Sequence, residues 1–394
     1  MSSKPKKITI LGATGSVGQS TADVIAASPD QFTVHSVTAN KNAQLLADTA
    51  IRLNAKCAVI ADESLKAALS ALLSHTDIAV KSGQKAIEQA ASEDVDLIMA
   101  AIMGFAGLRP IIKAIESGTN IAIANKEPLV AAGEMIMNLA KKTGAKILPV
   151  DSEHNAIFQV FENENRGAID KITITASGGP FLNWSHEDIA SATPEQAVNH
   201  PNWDMGAKIS VDSASMMNKA LEVIEAHYLF SMPPDQIDVI IHPQSVIHSM
   251  VSYTDGTTLA QMGASDMKTP IAYALGWPER MHKGGDKLDL KALSSLTFQP
   301  PNLDQFPALK LAYDCLEKGQ GACITLNAAN EIAVAAFLNN EISFSDIVKC
   351  VDFALEHHEQ NLMTIAPKTV EDIEKLDNTI RHITLDYIQS EKVS

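Results

Sequence analysis

Two acidic residues follow a short apolar run near the middle of the chain, with one residue between them. The stretch LPVDSEHNAIFQ places Asp151 and Glu153 after a predicted strand and just before a predicted helix. Two carboxylates this close repel each other unless a cation lies between them, and an all-oxygen set suits Mg²⁺ or Mn²⁺ better than Zn²⁺. Acidic residues are also favoured at any helix N-terminus. The pair therefore predicts either a metal site or an ordinary helix start.

A third acidic residue with polar neighbours occurs in the stretch SVDSASMMNKALEVIEA. If Ser213 caps this predicted helix, Asn218 and Glu222 lie four residues apart on one face, with Lys219 beside them. Such a face could bind a metal and an anion together. A solvated polar stripe has the same pattern, so the spacing leaves both interpretations open.

A glycine-rich turn follows the apolar run KKITI near the start of the chain. In LGATGSVGQS the glycines are Gly12, Gly15 and Gly18, spaced GxxGxxG. In a nucleotide-binding turn the first glycine permits the tight turn, the second lets the backbone approach a pyrophosphate, and the third lets the helix pack on the strand. The free N–H groups of the helix start then face the phosphates. A tight strand-to-helix turn without a ligand is the alternative.

The end of the next predicted strand indicates which dinucleotide this turn binds. NAD enzymes place an acidic residue there to bind the ribose hydroxyls. Here FTVHSVTA ends at Ala39 and is followed by Asn40, Lys41 and Asn42. A carboxylate would repel a 2′-phosphate, whereas Lys41 would attract it. The sequence therefore predicts an NADPH site.

Three further polar stretches are candidate loops of a binding site. TASGGPF offers Ser177 and backbone donors suited to an oxyanion, and NHPNWDMG places His200 and Trp203 in a lid or in a local hydrophobic anchor. IHPQSVIHSMV puts His242 and His248 near strands, where a structural role is typical. The sequence has no HExxH motif and no Ser–His–Asp order, which argues against zinc hydrolysis and triad chemistry.

The elements that must position these residues change in character along the chain. Residues 1–150 alternate strands and helices, which predicts a doubly wound, Rossmann-like α/β domain with a parallel sheet that binds NADPH. Residues 151–277 predict an α+β catalytic and metal-binding domain, and residues 278–310 a connecting arm. Residues 311–394 predict a helical domain, in which Ile373, Leu376, Ile380 and Ile383 recur at helical spacing behind a capping signal at Thr369–Asp372.

Composition limits the class of protein. The chain has 394 residues, 46% of them hydrophobic, and no apolar run reaches the roughly 18 residues that a membrane span needs. The formal net charge of −16 argues against a nucleic-acid partner. Four cysteines without a CxxC pair are typical of reduced, mostly buried thiols in the cytoplasm. No signal or transit segment is recognisable before the first strand, so we expect a cytoplasmic protein.

Eight motifs, in this order along the chain, resemble those of the 1-deoxy-D-xylulose 5-phosphate reductoisomerase family: GATGSVG, ANKE, PVDSEHNAIFQ, SGGPF, HPNWDMG, SVDSASMMNKALEVIEA, HPQSVIHSMV and LNAANEIAVAAF. The resemblance extends from about residue 7 to residue 340, and beyond that only the helical character is similar. The resemblance implies a homodimeric enzyme of isoprenoid-precursor synthesis that depends on NADPH and a divalent metal. Such an enzyme rearranges 1-deoxy-D-xylulose 5-phosphate and reduces the product to 2-C-methyl-D-erythritol 4-phosphate.

The resemblance also implies roles for individual residues. The metal ligands would be Asp151, Glu153 and Glu222, which with Lys126 form the catalytic set. The substrate would be bound by Ser152, Glu153, Ser177, His200, Ser213, Asn218, Lys219 and Glu222. The cofactor would contact Thr14, Gly15, Ser16, Val17, Asn40, Lys41, Asn42, Asn125, Glu127 and Gly206.

One residue departs from the family pattern, and two other functions compete. The family usually has glycine where this chain has Asn40, and Asn tolerates left-handed backbone better than most residues. An NADP-dependent semialdehyde dehydrogenase also uses a GATG-type turn, but it needs a catalytic cysteine, and none lies between Cys57 and Cys315. A non-catalytic NADPH-sensing protein would need neither the acidic residues nor the polar helix face.

Overall fold

The protein forms two compact units, each assembled from separated stretches of chain. The computed structural model describes residues 4–203, 205–362 and 367–391. The first unit extends up to residue 128 and adds residues 136–158 and 266–287. The second contains residues 129–135 and 159–265, together with the chain from residue 288 onward. Asp204 of the HPNWDMG motif lies outside the described residues.

A seven-stranded parallel sheet forms the centre of the first unit. Its spatial order is β4-β3-β2-β1-β5-β6-β7, so the chain adds strands on one side of β1 and then returns to the other side. In such a sheet, ligands bind where the order reverses, at the carboxyl ends of the strands. The strands are β1 Lys6–Leu11, β2 Phe32–Ala39, β3 Cys57–Ile60, β4 Ala79–Ser82, β5 Leu97–Ala100, β6 Asn120–Ile123 and β7 Ile147–Pro149.

Helices connect these parallel strands. Right-handed crossovers place the helices that follow β1–β3 on one face of the sheet and those that follow β4–β6 on the other. Both faces are therefore covered, and β3 and β5 are buried throughout. The helices are α1 Ser16–Ala26, α2 Ala43–Arg52, α3 Lys66–Leu72, α4 Gln84–Ala91, α5 Leu108–Glu116, α6 Glu127–Thr143, α7 Ser152–Val160 and, from a later stretch of the chain, α12 Lys268–Gly276.

The predicted doubly wound parallel sheet is confirmed, and one strand was missed. All six apolar runs identified in residues 1–150 form strands. The missed strand β4 has the sequence AVKS, lies at the sheet edge and is buried at none of its positions. An edge strand needs no continuous apolar run, because only one neighbour pairs with it and its face is partly solvated.

The second unit contains a four-stranded mixed sheet in the order β11-β10-β8-β9. Strands β8 and β9 are parallel, and the other two pairs are antiparallel. The strands are β8 Ile169–Ala176, β9 Ile237–Ile241, β10 Ile247–Tyr253 and β11 Thr258–Met262. The four strands predicted for this region are confirmed, and with its helices they make the predicted α+β fold.

Helices form the rest of the second unit, including the predicted C-terminal helical region. They are α8 His186–Ala190, α9 Pro194–Val198, α10 Ala207–Ala214, α11 Met217–Phe230, α13 Ala308–Lys318, α14 Gln320–Leu338, α15 Asp346–Asn361 and α16 Val370–Glu391. The capping signal before α16 is confirmed, because Thr369 Oγ1 accepts the Asp372 N–H at 3.1 Å. Ile373, Leu376 and Ile380 are buried on one face, while Ile383 is half-buried.

The helix predicted from Ser213 onward is two helices. Met216 adopts φ +61°, which ends α10 and lets α11 start at Met217. Ser213 therefore lies in the last turn of α10 and does not cap α11. A left-handed residue cannot continue a right-handed helix, and the apolar pattern gave no sign of this break because Met216 is itself buried.

One helix contradicts the expectation that no segment is long and apolar enough to span a membrane. Among the described residues, α14 meets both criteria by length and composition, with a mean hydropathy of 1.4. However, 72% of that stretch is buried within the protein, as in the core helix of a globular protein. Polar residues such as Asn327 interrupt this segment, so it contains no continuous apolar run of about 18 residues in the sequence.

The compact units divide the chain differently from the predicted domains. Residues 151–158 belong with the parallel sheet, because α7 follows β7 directly and Phe158 packs against the core of the first unit. The Asn155 side chain also donates to the Pro149 carbonyl at 2.8 Å. The division into domains at residues 150, 277 and 310 stays a prediction about independently folding parts.

Candidate functional site

The glycine turn of the first unit has the geometry of a phosphate-binding turn. Gly12 has φ +82°, and a Cβ there would lie 2.4 Å from the Ala101 carbonyl oxygen. A Cβ on Gly18 would lie 2.3 Å from the Gly12 carbonyl oxygen, so the helix packs closely against the turn. Gly15 is open by comparison, and α1 has no side-chain cap at its start. The N–H groups of this helix start are therefore accessible to an anion.

The loop after β2 carries the exposed side chains of Asn40 and Lys41. Asn42 caps α2 through its Oδ1, which accepts the Leu45 N–H at 3.0 Å. Asn40 is not among the described residues with positive φ, so the loop does not use the left-handed backbone that glycine would allow there. Lys41 also lowers the pKa of Asp62, an effect smaller than that of the hydrogen bonds from Ser64. No sequence pattern predicts this contact, because Asp62 lies about twenty residues after Lys41.

An ion pair lies at the carboxyl ends of two adjacent strands of the same sheet. Lys126 follows β6, Asp151 follows β7, and Lys126 Nζ lies 2.7 Å from Asp151 Oδ2. The two side chains are only 6% and 11% exposed. Sequence spacing gave no sign of this pair, since 25 residues separate the two. Parallel pairing brings them together because the carboxyl ends of neighbouring strands share one edge.

Asp151 is held ionised at the start of α7. Burial alone raises its pKa, but the charge of Lys126, with the nearby His154 ring, outweighs burial and holds that pKa well below its usual range. His154 is fully buried, with Nδ1 3.7 Å from Asp151 Oδ1. It stands in the quoted motif, yet no role was predicted for it. Next to this pair, the Ser152 hydroxyl donates to the Glu153 carboxylate.

In the second unit, Ser177 and His200 are joined at the end of β8. Ser177 Oγ lies 2.9 Å from His200 Nε2 and accepts the Gly179 N–H at 3.1 Å. His200 Nδ1 accepts the backbone N–H groups of Asn202 and Trp203, both at 3.1 Å. An acceptor at Nδ1 requires the proton to be on Nε2, which then donates to Ser177. Both acceptor positions of the Ser177 hydroxyl are thus occupied, and its own proton points to a third partner.

The loop that follows His200 is tied to the turn between β9 and β10. Asn202 Nδ2 donates to the Pro243 carbonyl at 2.7 Å and to Ser245 Oγ at 3.0 Å. The Trp203 ring lies 6.1 Å from the His248 ring, centroid to centroid. Burial lowers the pKa of both His200 and His248 to about 4, so both rings are neutral at pH 7. The loop ends at Gly206, the exposed residue before α10.

The polar face predicted on α11 is confirmed as a geometric feature. Asn218 Nδ2 donates to Glu222 Oε1 at 2.6 Å, and Lys219 Nζ binds Glu222 Oε2. Glu222 and Lys219 are buried, at 0% and 4% exposure. A buried carboxylate is tolerated only with such partners. Ser213, half-buried in the last turn of α10, precedes this face across the break at Met216.

The structure thus gathers the predicted residues into two groups, one in each unit. The first group lies at the carboxyl edge of the parallel sheet. It comprises Thr14, Gly15, Ser16, Val17, Asn40, Lys41, Asn42, Asn125, Lys126, Glu127, Asp151, Ser152 and Glu153. The second group lies on β8, the His200 loop, α10 and α11. It comprises Ser177, His200, Gly206, Ser213, Asn218, Lys219 and Glu222.

These groups fit the cofactor and the metal that the sequence predicts. The uncapped start of α1, with Gly15 open beside it, can accept a pyrophosphate. The low pKa of Asp151 keeps an anionic oxygen ligand available, and Glu153 adds a second. Oxygen donors of this kind suit Mg²⁺ and Mn²⁺.

Family models match most of the chain. A model of the 1-deoxy-D-xylulose 5-phosphate reductoisomerase matches residues 8–133, and models of the family's C-terminal domains match residues 147–230 and 262–383. The chain belongs to the 1-deoxy-D-xylulose 5-phosphate reductoisomerase family. The site groups described above lie within or beside these matched segments.

Curated members of the reductoisomerase family are similar over nearly the whole chain. The reductoisomerase of Zymomonas mobilis is 48% identical over 379 residues, which cover 96% of this chain and 97% of its own. That of Rhodospirillum centenum is 52% identical over 359 residues, covering 90% and 89%.

Solved structures of the reductoisomerase family have the same fold. The Zymomonas mobilis enzyme in complex with NADPH superimposes with a TM-score of 0.91 at 46% identity, covering 98% of this chain and 100% of that one. A crystal structure of a reductoisomerase with NADPH, fosmidomycin and magnesium gives a TM-score of 0.92 at 42% identity, covering 98% and 99%. Both structures contain NADPH, and the second also contains magnesium.

Proposed function

We propose that this protein converts 1-deoxy-D-xylulose 5-phosphate to 2-C-methyl-D-erythritol 4-phosphate, using NADPH and a divalent metal, in the non-mevalonate synthesis of isoprenoid precursors. The similarity over 98% of the chain to two reductoisomerase structures with NADPH, one of which also contains magnesium, carries the proposal. Both site groups agree with it, because each offers the charge and the hydrogen-bond donors that the reaction requires.

The first group binds NADPH and orients it. The open start of α1 receives the pyrophosphate at Thr14, Gly15, Ser16 and Val17. Asn40, Lys41 and Asn42 bind the adenosine end, where the ammonium of Lys41 favours the 2′-phosphate. Asn125 and Glu127 line the remainder of the cofactor, and the family resemblance adds Gly206 of the second group. When bound, NADPH supplies the hydride that reduces the rearranged aldehyde.

Three carboxylates bind the metal in this proposal: Asp151, Glu153 and Glu222. When bound, Mg²⁺ or Mn²⁺ polarises the carbonyl and hydroxyl oxygens of the substrate. The low pKa of Asp151 supports this assignment, because a ligand must be deprotonated. Lys126 keeps Asp151 ionised and offers a cation at the same edge of the sheet for contact with the substrate.

The second group binds the sugar phosphate. Ser177 donates its free hydroxyl proton to a phosphate oxygen, since His200 and Gly179 occupy its acceptor positions. Ser213, Asn218 and Lys219 complete this phosphate site, and Ser152 contacts the substrate from the first group. The Trp203 loop closes over the bound substrate and excludes water. Binding energy from the distant phosphate then orients the reacting carbons.

The two competing functions receive less support. A semialdehyde dehydrogenase needs an accessible thiolate, yet all four cysteines are buried. Burial also raises the pKa of Cys57, Cys315 and Cys323, which disfavours the thiolate. A non-catalytic NADPH sensor has no use for the buried Glu222 with its Lys219 and Asn218 partners.

The decisive experiment follows NADPH oxidation with 1-deoxy-D-xylulose 5-phosphate, with and without EDTA. We expect turnover with added Mg²⁺ or Mn²⁺ and none after chelation. A protein that binds NADPH but leaves the sugar phosphate unchanged in excess metal would be a sensor. Oxidation that continues unchanged in EDTA would exclude a metal-dependent reaction.

Substitution of Glu222 tests the metal ligands. Glu222→Gln keeps the shape of the side chain and leaves two carboxylates for the dication, so it should weaken and misplace the metal. We expect most turnover to be lost and to be partly restored by high Mn²⁺, while NADPH still binds in a fluorescence titration. The same substitution at Glu187, an exposed acidic residue of α8, serves as the control. An anomalous Mn²⁺ peak away from the three carboxylates would refute the assignment.

We also propose that the protein is a cytoplasmic homodimer, as the family resemblance implies. Edge strand β11 supports a contact between copies, because Leu259 and Met262 are 38% and 39% exposed on it. The proposed partners otherwise are small molecules, with no nucleic acid and no membrane. The net charge of −16 supports the exclusion of nucleic acid.

A further inference from the structure

A buried hydrogen bond joins α10 to α14 in the second unit. Asn330 Nδ2 donates to Asp212 Oδ1 at 2.8 Å, and both residues are buried, at 0% and 1% exposure. Lys208, one turn earlier on α10, binds the other oxygen, with Nζ 2.9 Å from Asp212 Oδ2. Asn330 belongs to the LNAANEIAVAAF stretch, none of whose residues has a proposed role in binding the cofactor or the substrate.

Helix α10 needs external support to hold a defined orientation. It has only eight residues, and helices this short are not stable by themselves. It begins at Gly206, which provides no side-chain cap, and at its other end the Ser215 hydroxyl donates to the Asp212 carbonyl at 3.2 Å, just before the left-handed Met216. Val211 and Ala214 pack in the apolar core, which holds the helix in place.

The rotation of α10 decides where Ser213 points. Neighbouring residues of an α-helix project about 100° apart, so the direction of Asp212 sets that of Ser213. The Ser213 carbonyl also lies against the Ser177 loop, since a Cβ on Gly179 would come within 2.7 Å of it. A rotation of α10 would therefore change the spacing between the two hydroxyls of the phosphate site.

Stability alone does not account for the Asp212 contacts. The Lys208 side chain is half-buried, and an ion pair with a buried carboxylate is often no more stabilising than apolar side chains of similar volume. The Asn330 side chain also has a buried Oδ1 with no hydrogen-bond partner among the described residues, which costs free energy. A directional contact retained at such a cost fits a role in orientation.

The polar residues of α14 are in turn anchored by α16. Arg381 Nη2 binds Glu331 Oε2 at 2.6 Å, and Arg381 Nε binds Asp377 Oδ2 at 2.6 Å. Glu331 follows Asn330 directly in sequence. These contacts hold α16 against α14 beside Asn330.

We propose that Asp212 and Asn330 are positioning residues that fix the rotation of α10 and so direct the Ser213 hydroxyl at the phosphate of the substrate. This inference rests on the proposed function, which supplies the phosphate. Asp212 and Asn330 touch neither the substrate nor the cofactor in this scheme, and they act through Ser213.

A double-mutant cycle tests the proposal in the full-length enzyme. Asn330→Leu removes the donor at similar volume, and we expect it to raise the KM for the sugar phosphate about tenfold while changing kcat and the KM for NADPH less than twofold. In a Ser213→Ala background the same substitution should change the KM less than twofold, because a residue that acts through Ser213 has nothing left to direct. Asn327→Leu, one turn away on α14 and equally buried, is the matched control and should leave the KM unchanged.

The outcomes separate this inference from the proposed function. A wild-type enzyme that does not turn over the sugar phosphate refutes the function, and the cycle is then run on the thermal stabilisation given by inorganic phosphate. Additive effects of N330L and S213A, or equal effects of N330L and N327L, refute the positioning role. If N330L does not fold, Asn330→Ala, which removes the donor without adding apolar volume, takes its place under the same criteria.

Discussion

Ser177 and His200 form a hydrogen-bond chain whose direction is set by the backbone. Two loop N–H groups point at His200 Nδ1, so the ring proton must sit on Nε2 and the Ser177 proton must point onward. Protonation of Nδ1 would turn both contacts into donor–donor repulsion. Burial, which lowers the pKa of His200 to about 4, guards against this at neutral pH.

The pH dependence of stability checks this arrangement. The pKa of His200 is about 4 in the folded protein and about 6.5 in an unfolded chain, so folding favours the neutral ring. The resulting stabilisation is complete above about pH 6.5 and is lost as the pH falls toward 4. We therefore expect the difference in unfolding free energy between wild type and His200→Gln to shrink between pH 7 and pH 4. A difference that stays constant over this range would contradict the neutral, buried ring.

Cofactor preference is a second property of single residues. Lys41→Glu places a carboxylate where the 2′-phosphate is proposed to bind, and it should reduce the ratio of kcat/KM for NADPH over NADH by about tenfold. Lys66→Glu, at an exposed lysine of the same unit, controls for the change in net charge. Equal kcat/KM values of the wild-type enzyme for NADPH and NADH would show that Lys41 does not bind a 2′-phosphate.

At the scale of elements, the site residues lie where strands and helices begin and end. Lys126 and Asp151 follow neighbouring parallel strands, and Ser177 follows β8. Gly15 and Gly206 precede helices that have no side-chain cap. Backbone groups at such positions have no partner within their own element and are therefore available to ligands.

The packing of α1 on its turn gives a prediction at this scale. A Cβ on Gly18 would overlap backbone atoms of Gly12 and Ala13, at 2.3 Å and 2.7 Å, which cannot move as a flexible side chain can. Gly18→Ala should therefore lower the unfolding free energy by about 1–3 kcal/mol and weaken NADPH binding. Gly167→Ala, where nothing lies within 4 Å of the new Cβ, should change neither quantity. The comparison is made by denaturant unfolding and by NADPH titration, and equal effects of the two variants would contradict close packing at Gly18.

For the whole molecule, both compact units are discontinuous in sequence. Helix α12 belongs to the unit of the parallel sheet, although more than one hundred residues of the other unit precede it in the chain. The Lys6 side chain of β1 donates hydrogen bonds to the carbonyls of Leu275, Gly276 and Trp277 at the end of this helix. The C-terminal helices belong with the mixed sheet. Neither unit can be complete until distant stretches of the chain have been added.

Association is the prediction that belongs to the whole molecule. An edge strand with exposed apolar residues pairs readily with another copy, and β11 presents Leu259 and Met262 in this way. We expect a dimer in light scattering at micromolar concentration and a shift toward monomer in Leu259→Lys. Leu385→Lys, at a similarly exposed leucine of α16, should leave the dimer intact. A wild-type monomer at that concentration would refute the homodimer, and a dimer insensitive to Leu259→Lys would exclude β11 as its interface.

The sequence by itself determined the fold class, the glycine turn and ten of the eleven strands found in the described part of the chain. These are local properties, because apolar runs, helical spacing and glycine chemistry act over a few residues. The Asn218–Glu222 contact belongs to the same class, since four residues on a helix always bring side chains together. For the same reason, the capping signal at Thr369 was recognisable before the structure.

Only the tertiary structure decided which distant residues meet. The Lys126–Asp151 pair depends on the pairing of β6 with β7, and the Asp212–Asn330 bond depends on the packing of α10 against α14. The break at Met216 was hidden because a buried methionine continues the apolar pattern of a helix. Contacts of this kind arise from the packing of whole elements, which no pattern within a single segment encodes.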